Sequence, residues 1–379
     1  MEFAWTEQQQ EYRRRIKQAL DELLPPDWYQ HYVTQSYASD DQIAFSREFC
    51  PKLAQRRLLA SHWPVEYGGD AAPAWEQFIL AEEMKAAGEP RGPQYMNVNW
   101  LGPTLMKYGT EAQKAQHLPP LGRGEVVWCQ GYSEPGAGTD LAALKTKATR
   151  QGDRYIVNGS KIWTSYARKA DWCFLLARTG AGRKEISVFL VPMSTPGITV
   201  KSFPGLTKDG HLNEVFFTDV EVPIENRLGE EGTGWEIVTH VLSFERVGVP
   251  RYHVGLKILD LAVGQLQAEG RFDDSIVRVR AGMIASKFEA ARMLTYFVVD
   301  QRVKQLPPTA DANVARIAAL DAVTDLMNFL IEFVPDCLAG GHPLLEEYYR
   351  INVPANITAG TLELQLDLIA QRGLSLPRS

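Results

Sequence analysis

The chain has 379 residues, 45% of them apolar and 23% charged, and carries a formal net charge of −6. That length supports two or three compact regions with substantial cores, and an acidic balance without a basic stripe argues against a nucleic-acid partner. No apolar run reaches membrane-spanning length and the start, Met1-Glu2-Phe3-Ala4-Trp5, has no signal pattern, so a soluble cytoplasmic protein without a membrane span is expected. Cys50, Cys129, Cys173 and Cys337 form no Cys-x-x-Cys pair and the 7 histidines stand alone. Buried thiols are therefore expected, with neither a disulfide framework nor a metal site.

From Thr6 to about Arg123 the pattern is mostly helical. Periodic, charged runs over Glu7–Leu24, Asp40–Leu59 and Ala74–Ala87 are separated by breaks that carry proline and glycine. Thr110 stands as the N-cap of a further helix, with Glu111 in its first turn.

From Val126 to about Val222 the period shortens. Alternating and β-branched runs cover Tyr155–Asn158, Trp172–Ala177, Ile186–Val191, Ile198–Ser202 and Glu214–Val222, with turns expected at Asn158-Gly159, Thr179–Arg183, Ser194–Gly197 and Lys208–Gly210. This spacing implies a small β-barrel or sandwich. Within it, Gln130-Gly131-Tyr132-Ser133-Glu134-Pro135-Gly136-Ala137-Gly138-Thr139-Asp140 gathers hydroxyls, backbone donors and turn residues. Pro135 fixes φ, while Gly136 and Gly138 permit positive φ, so the backbone can fold tightly and aim N–H groups at one bound partner. The spacing is that of neither a phosphate loop nor a dinucleotide fingerprint. Read alone, the stretch is an ordinary surface turn as readily as a binding loop. Gly152 to Ser165 then reads as a strand, an Asn158-Gly159 hairpin turn and a second strand ending in Trp163-Thr164-Ser165.

Beyond Gly234 the chain is helical again, with an apolar stripe at Trp235, Val238, Val241 and Leu242. Further amphipathic runs cover Val254–Leu266, Ser275–Lys304, Asp311–Phe333 and Leu362–Gln371. A four-helix bundle is the natural packing. Glu245 lies on an apolar helix, and Pro250 cannot donate to the Arg246 carbonyl, so the helix is disturbed beside Glu245. Taken by themselves, Glu245 and Arg246 are a charged pair on a solvated face. The fold class is thus α+β and multi-domain: an N-terminal α-helical domain (1–123), a middle β domain (124–233) and a C-terminal helical bundle (234–379).

The block from Tyr132 to Asp140, followed by Val157-Asn158-Gly159-Ser160-Lys161-Ile162-Trp163-Thr164-Ser165, resembles the flavin-binding middle domain of the acyl-CoA dehydrogenases. Trp63–Gly69, Tyr108–Lys114 and Asp219–Pro223 resemble further words of that family, so the likeness extends over nearly the whole chain. It implies FAD as cofactor, with Gln130, Tyr132, Ser133, Gly138, Thr139, Trp163, Ser165 and Thr361 binding it. Tyr132 and Ser133 would border the isoalloxazine ring, Trp163 would lie on its face, and Ser165 would approach N5. An indole there excludes water, and a hydroxyl at N5 stabilises charge as hydride arrives.

The segment Ile357-Thr358-Ala359-Gly360-Thr361 resembles the place where many members carry a catalytic glutamate just before Gly-Thr. Here that position is Ala359. Members lacking that glutamate place the base on the first bundle helix, immediately before an arginine, and Glu245-Arg246 matches that pattern. The resemblance therefore implies Glu245 as base and the Ala359 backbone N–H as donor to the thioester oxygen, with Glu363 structural. The implied reaction takes an acyl-CoA to its 2-enoyl-CoA, and an electron-transferring flavoprotein reoxidises the flavin.

Departures from the family pattern concern the partner. Homotetrameric members hold a neighbour's FAD with Arg-x-x-Phe-Gly and Gln-x-x-Gly-Gly. This chain has Arg271-Phe272-Asp273-Asp274, and Cys337 in place of the glutamine before Gly340-Gly341. Negative charge stands where a diphosphate would lie. The combination resembles the paired, heterotetrameric bacterial acyl-CoA dehydrogenases of steroid side-chain breakdown, and implies a second acyl-CoA dehydrogenase-like chain as partner. A homo-oligomeric short- or branched-chain dehydrogenase and a non-catalytic partner subunit are the alternatives.

Overall fold

The computed structural model describes residues 4–28, 39–182, 185–206, 212–245, 250–306, 309–358 and 360–377, without the side chains of 243–245 and 356. In chain order, α1 (Glu7–Leu23), α2 (Asp40–Gln55) and α3 (Ala74–Ala86) precede a short α4 (Gln94–Met96), which runs through a π turn into α5 (Gly102–Tyr108) and then α6 (Glu111–Gly122). The strands are β1 (Trp128–Gly131), β2 (Lys147–Gln151), β3 (Arg154–Lys161), β4 (Trp172–Arg178), β5 (Ile186–Pro192), β6 (Ile198–Phe203), β7 (Leu212–Pro223) and β8 (Arg227–Leu228). Then come α7 (Gly234–Glu245), α8 (Arg251–Ala268), α9 (Ser275–Val303), α10 (Asp311–Phe333), α11 (Pro343–Asn352) and α12 (Leu362–Arg372). Helix, strand and helix regions thus follow one another as the periodicity implies. The caps are where side-chain chemistry puts them: Thr6 with Gln9, and Thr110 with Gln113, close capping boxes on α1 and α6. No described helix is long and apolar enough to cross a membrane.

The chain divides into two compact units. One comprises Met1–Thr34, Pro73–Glu89 and Glu245–Ser379; the other comprises Gln35–Ala72 and Pro90–Phe244.

In the second unit the strands form one 8-stranded sheet in the order β6-β7-β3-β2-β4-β5-β8, with β1 parallel to β4. β2 and β4 meet only at Lys147↔Arg178, where the two antiparallel parts of the sheet join. Side chains from both parts, among them Cys129, Tyr155, Val157, Leu175, Phe189, Val215 and Phe217, fill one core. The expected hairpin at Asn158-Gly159 is not there. β3 runs straight through it, and the two-residue turn is Gly152-Asp153, between β2 and β3, with Gly152 at φ +62°. Asn158 instead stitches a bulge on β7: its Oδ1 accepts from Asp219 N at 2.9 Å and its Nδ2 donates to Asp219 Oδ1 at 3.0 Å. Gly159 is required for close approach, because a Cβ there would sit 2.5 Å from Thr146 Oγ1. The turn expected at Lys208–Gly210 and the end of that at Thr179–Arg183 lie outside the described residues.

In the first unit α8, α9 and α10 share an apolar core with α3 and α11, built from residues such as Phe78, Leu259, Phe288, Leu326 and Leu345. α8 and α9 touch at Gly255, where an added Cβ would lie 2.2 Å from the Phe288 ring. Inside the same unit Glu82, 1% exposed, is met by four side chains from three other helices, α1, α8 and α9. Arg13 Nη2 donates to it at 2.7 Å, Tyr252 Oη at 2.7 Å and Tyr296 Oη at 2.9 Å, and His253 Nε2 lies 3.3 Å away. Arg13 also pairs with Glu83. All four cysteines are buried thiols, as their scatter implies.

Candidate functional site

The loop from Gln130 to Asp140 leaves β1 and returns to β2, and its geometry starts from a turn. Glu134 N donates to Ala137 O at 2.8 Å and Ala137 N to Glu134 O at 3.0 Å, closing a turn over Pro135-Gly136. Neither Gly136 nor Gly138 takes the positive φ that their presence suggested. A turn with proline at its second position and reciprocal bonds at its ends closes without left-handed backbone. What these glycines supply is room: a Cβ at either would meet nothing within 4 Å.

The loop is held by a buried ion pair. Lys161, the last residue of β3 and 0% exposed, donates from Nζ to Glu134 Oε1 at 2.8 Å and to the Tyr132 carbonyl at 3.0 Å. Glu134, 8% exposed, also accepts from Lys145 N at 2.5 Å and Thr146 N at 2.8 Å, which ties the far end of the loop to the same carboxylate. Burial alone would raise the Glu134 pKa, but the Lys161 charge and these hydrogen bonds hold it below the ordinary carboxylate range. Burial lowers the Lys161 pKa, and Glu134 offsets part of that. Gly131 leaves room for the lysine stem, since a Cβ there would lie 3.4 Å from Lys161 Cγ and 3.0 Å from Cys173 Sγ.

Beside this loop, Ile162 N donates to Ser133 O at 2.8 Å, so the chain leaving β3 lies against Tyr132 and Ser133. Trp163 follows at φ +61°, unusual for a bulky residue, with its side chain 57% exposed and edge-on to Phe203 at 5.4 Å. Thr164 is latched to β7: its N donates to Asn213 O at 3.0 Å and its carbonyl accepts from Asn213 Nδ2 at 2.9 Å. Gln130, Tyr132, Ser133, Gly138, Thr139, Trp163 and Ser165 thus lie on two adjoining segments of one unit. Tyr132, Ser133 and Ser165 are half-buried, and Gly138 and Thr139 are exposed.

The remaining candidates belong to the other unit. Thr361 caps α12, its Oγ1 accepting from Leu364 N at 3.3 Å, and Glu363 is exposed in that helix's first turn. Glu245 is the last described residue of α7, and the disturbance expected between it and Pro250 falls on residues 246–249, which lie outside the described residues. The Glu245 side chain and Ala359 lie outside the described residues.

The first segment pair fits a planar, heteroatom-rich cofactor. Gln130 Nε2 and Thr164 Oγ1 are buried with no hydrogen-bond partner, groups that a bound molecule would satisfy. The exposed indole of Trp163 offers a flat apolar face next to them. Sequence reasoning missed Glu134, Lys161, Thr164 and Asn213. A signal for Lys161 existed, because strict alternation puts it on the same face of β3 as the buried Tyr155 and Val157.

Comparison with known proteins bears on the whole chain. Family profiles for the N-terminal, middle and C-terminal domains of acyl-CoA dehydrogenases match residues 6–125, 129–220 and 232–374. Acyl-CoA dehydrogenase FadE26 of Mycobacterium tuberculosis is 32% identical over 406 residues, covering 100% of both chains. Among solved structures, the Tcur3481-Tcur3483 steroid ACAD superposes with a TM-score of 0.88 at 30% identity, over 100% of each chain. The ChsE4-ChsE5 complex from Mycobacterium tuberculosis does so with a TM-score of 0.87 at 31% identity, again over 100% of each. With all three family domains in order and a loop suited to a flavin ring, the chain belongs to the acyl-CoA dehydrogenases, a family of FAD-dependent oxidoreductases.

Proposed function

We propose that this chain is the base-bearing subunit of a heteromeric acyl-CoA dehydrogenase, paired with a second chain of the same family and acting on a bulky acyl-CoA of the steroid side-chain kind. The observation that carries the heteromer is the α8–α9 turn. Arg271, which in a homotetramer would face a neighbour's diphosphate, is paired to Glu269 at 2.9 Å. Asp274 caps α9, its Oδ1 accepting from Ile276 N at 2.7 Å. The turn is therefore built on carboxylates, which repel a diphosphate. The first turns of α9 also present Ile276, Val279 and Met283, each more than half exposed and spaced along one face, as a surface for the partner chain. The full-length likeness to the steroid ACAD and to the ChsE4-ChsE5 complex supports both the pairing and the substrate class.

The chain's own residues would divide the work as follows. Glu245 takes the α-proton of the thioester. The Ala359 N–H donates to the thioester oxygen, where negative charge develops as the proton leaves. Trp163 and the loop around Tyr132 and Ser133 orient the cofactor, and the indole keeps water from it. Bound FAD supplies the acceptor for the β-hydride, so the substrate loses one proton and one hydride to become the 2-enoyl-CoA. An electron-transferring flavoprotein then removes the two electrons.

The test is a flavin count with native mass, for the chain alone and with its partner, followed by Glu245→Gln in the assembled enzyme. One flavin for every two chains is expected, and the Gln variant should keep its flavin while turnover falls about 10²- to 10⁴-fold. A self-assembled tetramer with one flavin per chain rules out the heteromer. Unchanged turnover in the variant rules out Glu245 as base.

A further inference from the structure

The carbonyl of Tyr132 and the amide of Ser133 belong to one trans peptide unit, so they point in opposite directions. Lys161 Nζ holds that carbonyl at 3.0 Å and is itself held by Glu134 at 2.8 Å. The ammonium thereby fixes where the Ser133 N–H points, which is away from β3. The next peptide is fixed likewise, its Ser133 carbonyl accepting from Ile162 N at 2.8 Å. Both peptide planes bordering the proposed ring position are thus set from the β3 side, one of them by a side chain with no access to solvent.

We propose that Lys161 is a positioning residue for the flavin ring: through the Tyr132 carbonyl it aims the Ser133 N–H at an acceptor atom of the ring, with Glu134 as its buried counter-charge. The proposal rests on the placement of the ring at this loop. The pair has the features such a role requires. It is rigid, because the carboxylate accepts from two backbone amides as well as from the lysine. It is local, because Gly131 admits the lysine stem beneath the loop. It also spends one of the three ammonium donors on the loop backbone rather than on its counter-ion, which a purely structural ion pair has no need to do.

Lys161→Met alone leaves a buried, unpaired carboxylate and endangers folding. The informative variant is therefore Lys161→Met with Glu134→Gln, which removes both charges and keeps one acceptor oxygen for the amides of Lys145 and Thr146. In the assembled enzyme its FAD Kd should rise about tenfold or more, the scale of one lost hydrogen bond to a bound group, and the visible flavin absorption should shift while far-UV circular dichroism stays native. Ser133→Pro deletes the aimed N–H itself, leaves the pair intact, and should raise the Kd similarly. A natively folded double variant with wild-type Kd and spectrum overturns the proposal, as does a Ser133→Pro protein with wild-type flavin binding. Trp163→Ala separates the two levels. If it alters the flavin spectrum while the double variant does not, only the role of Lys161 falls; if none of the three alters Kd or spectrum, the ring is not at this loop.

Discussion

Glu134 and Glu82 are buried carboxylates, one in each compact unit, and they are buried for different ends. Glu134, at 8% exposure, is answered by one ammonium and two backbone amides, all from residues 145–161. Glu82, at 1% exposure, is answered by side chains only, drawn from α1, α8 and α9. The first arrangement sets the direction of peptide groups in the loop where the flavin ring is proposed to lie. The second ties helices distant in sequence into one bundle. A buried charge met by backbone shapes a loop locally, and one met by distant side chains contributes mainly to tertiary stability.

The largest difference should appear when one partner is removed. Lys161→Met strands Glu134, and breaking a buried pair in this way costs about 3–5 kcal/mol. Chemical denaturation of the isolated chain measures it. A loss below about 1 kcal/mol would mean that the backbone amides satisfy Glu134 without the lysine, and the ion pair would then be dispensable to the loop.

Glu82→Gln should come next. Burial by itself raises the Glu82 pKa, yet His253, Tyr252 and Arg13 together bring it from 4.5 to about 2. The unfolded carboxyl takes up its proton near 4.5 and the folded one only near 2. The stabilisation is therefore fully present above pH 4.5 and is lost as the pH falls toward 2. It is on the order of 3 kcal/mol. The Gln variant should be less stable by a similar amount at neutral pH, and the gap should close in acid. A gap independent of pH would show that packing around residue 82, rather than its charge, is what the bundle uses.

How much of this was legible follows the same division. The order of helical, strand and helical regions came from periodicity, whereas the run of turn and hydroxyl residues from Gln130 to Asp140 marked a turn, and its reading as a flavin loop came only from the resemblance. The cap expected at Thr110 is there, closed with Gln113, because it follows from local side-chain chemistry. The error at Asn158-Gly159 is instructive, because that dipeptide is a turn signal only when its neighbours pair with each other. Here they pair with β7, and the pair serves a bulge whose extra residue is Asp219. Glu82 escaped notice altogether. Its partners Arg13, Tyr252 and Tyr296 stand 69, 170 and 214 residues away, and no local pattern brings them together. The base candidate lay between these cases: Glu245 was reached only through resemblance, since a glutamate beside an arginine on a helix has no distinguishing period.

The smallest effects test whether Glu82 is a shared acceptor. Tyr252 and Tyr296 both donate to Oε1, at 2.7 and 2.9 Å. Tyr252 is 1% exposed, so water cannot replace its hydroxyl, and Tyr252→Phe should cost about 2 kcal/mol. Tyr296 is half-buried, with the Arg292 guanidinium 5.4 Å above its ring, and Tyr296→Phe should cost about 1 kcal/mol because solvent can supply part of the lost bond. Two donors on one oxygen compete, so each matters more once the other is gone. The double variant should therefore lose more than the sum of the singles, by about 0.5–1 kcal/mol in a double-mutant cycle. Strict additivity would mean that the two phenols act on the bundle independently. Glu82 would then be a carboxylate with one essential partner, Arg13, and would resemble Glu134 with its single lysine.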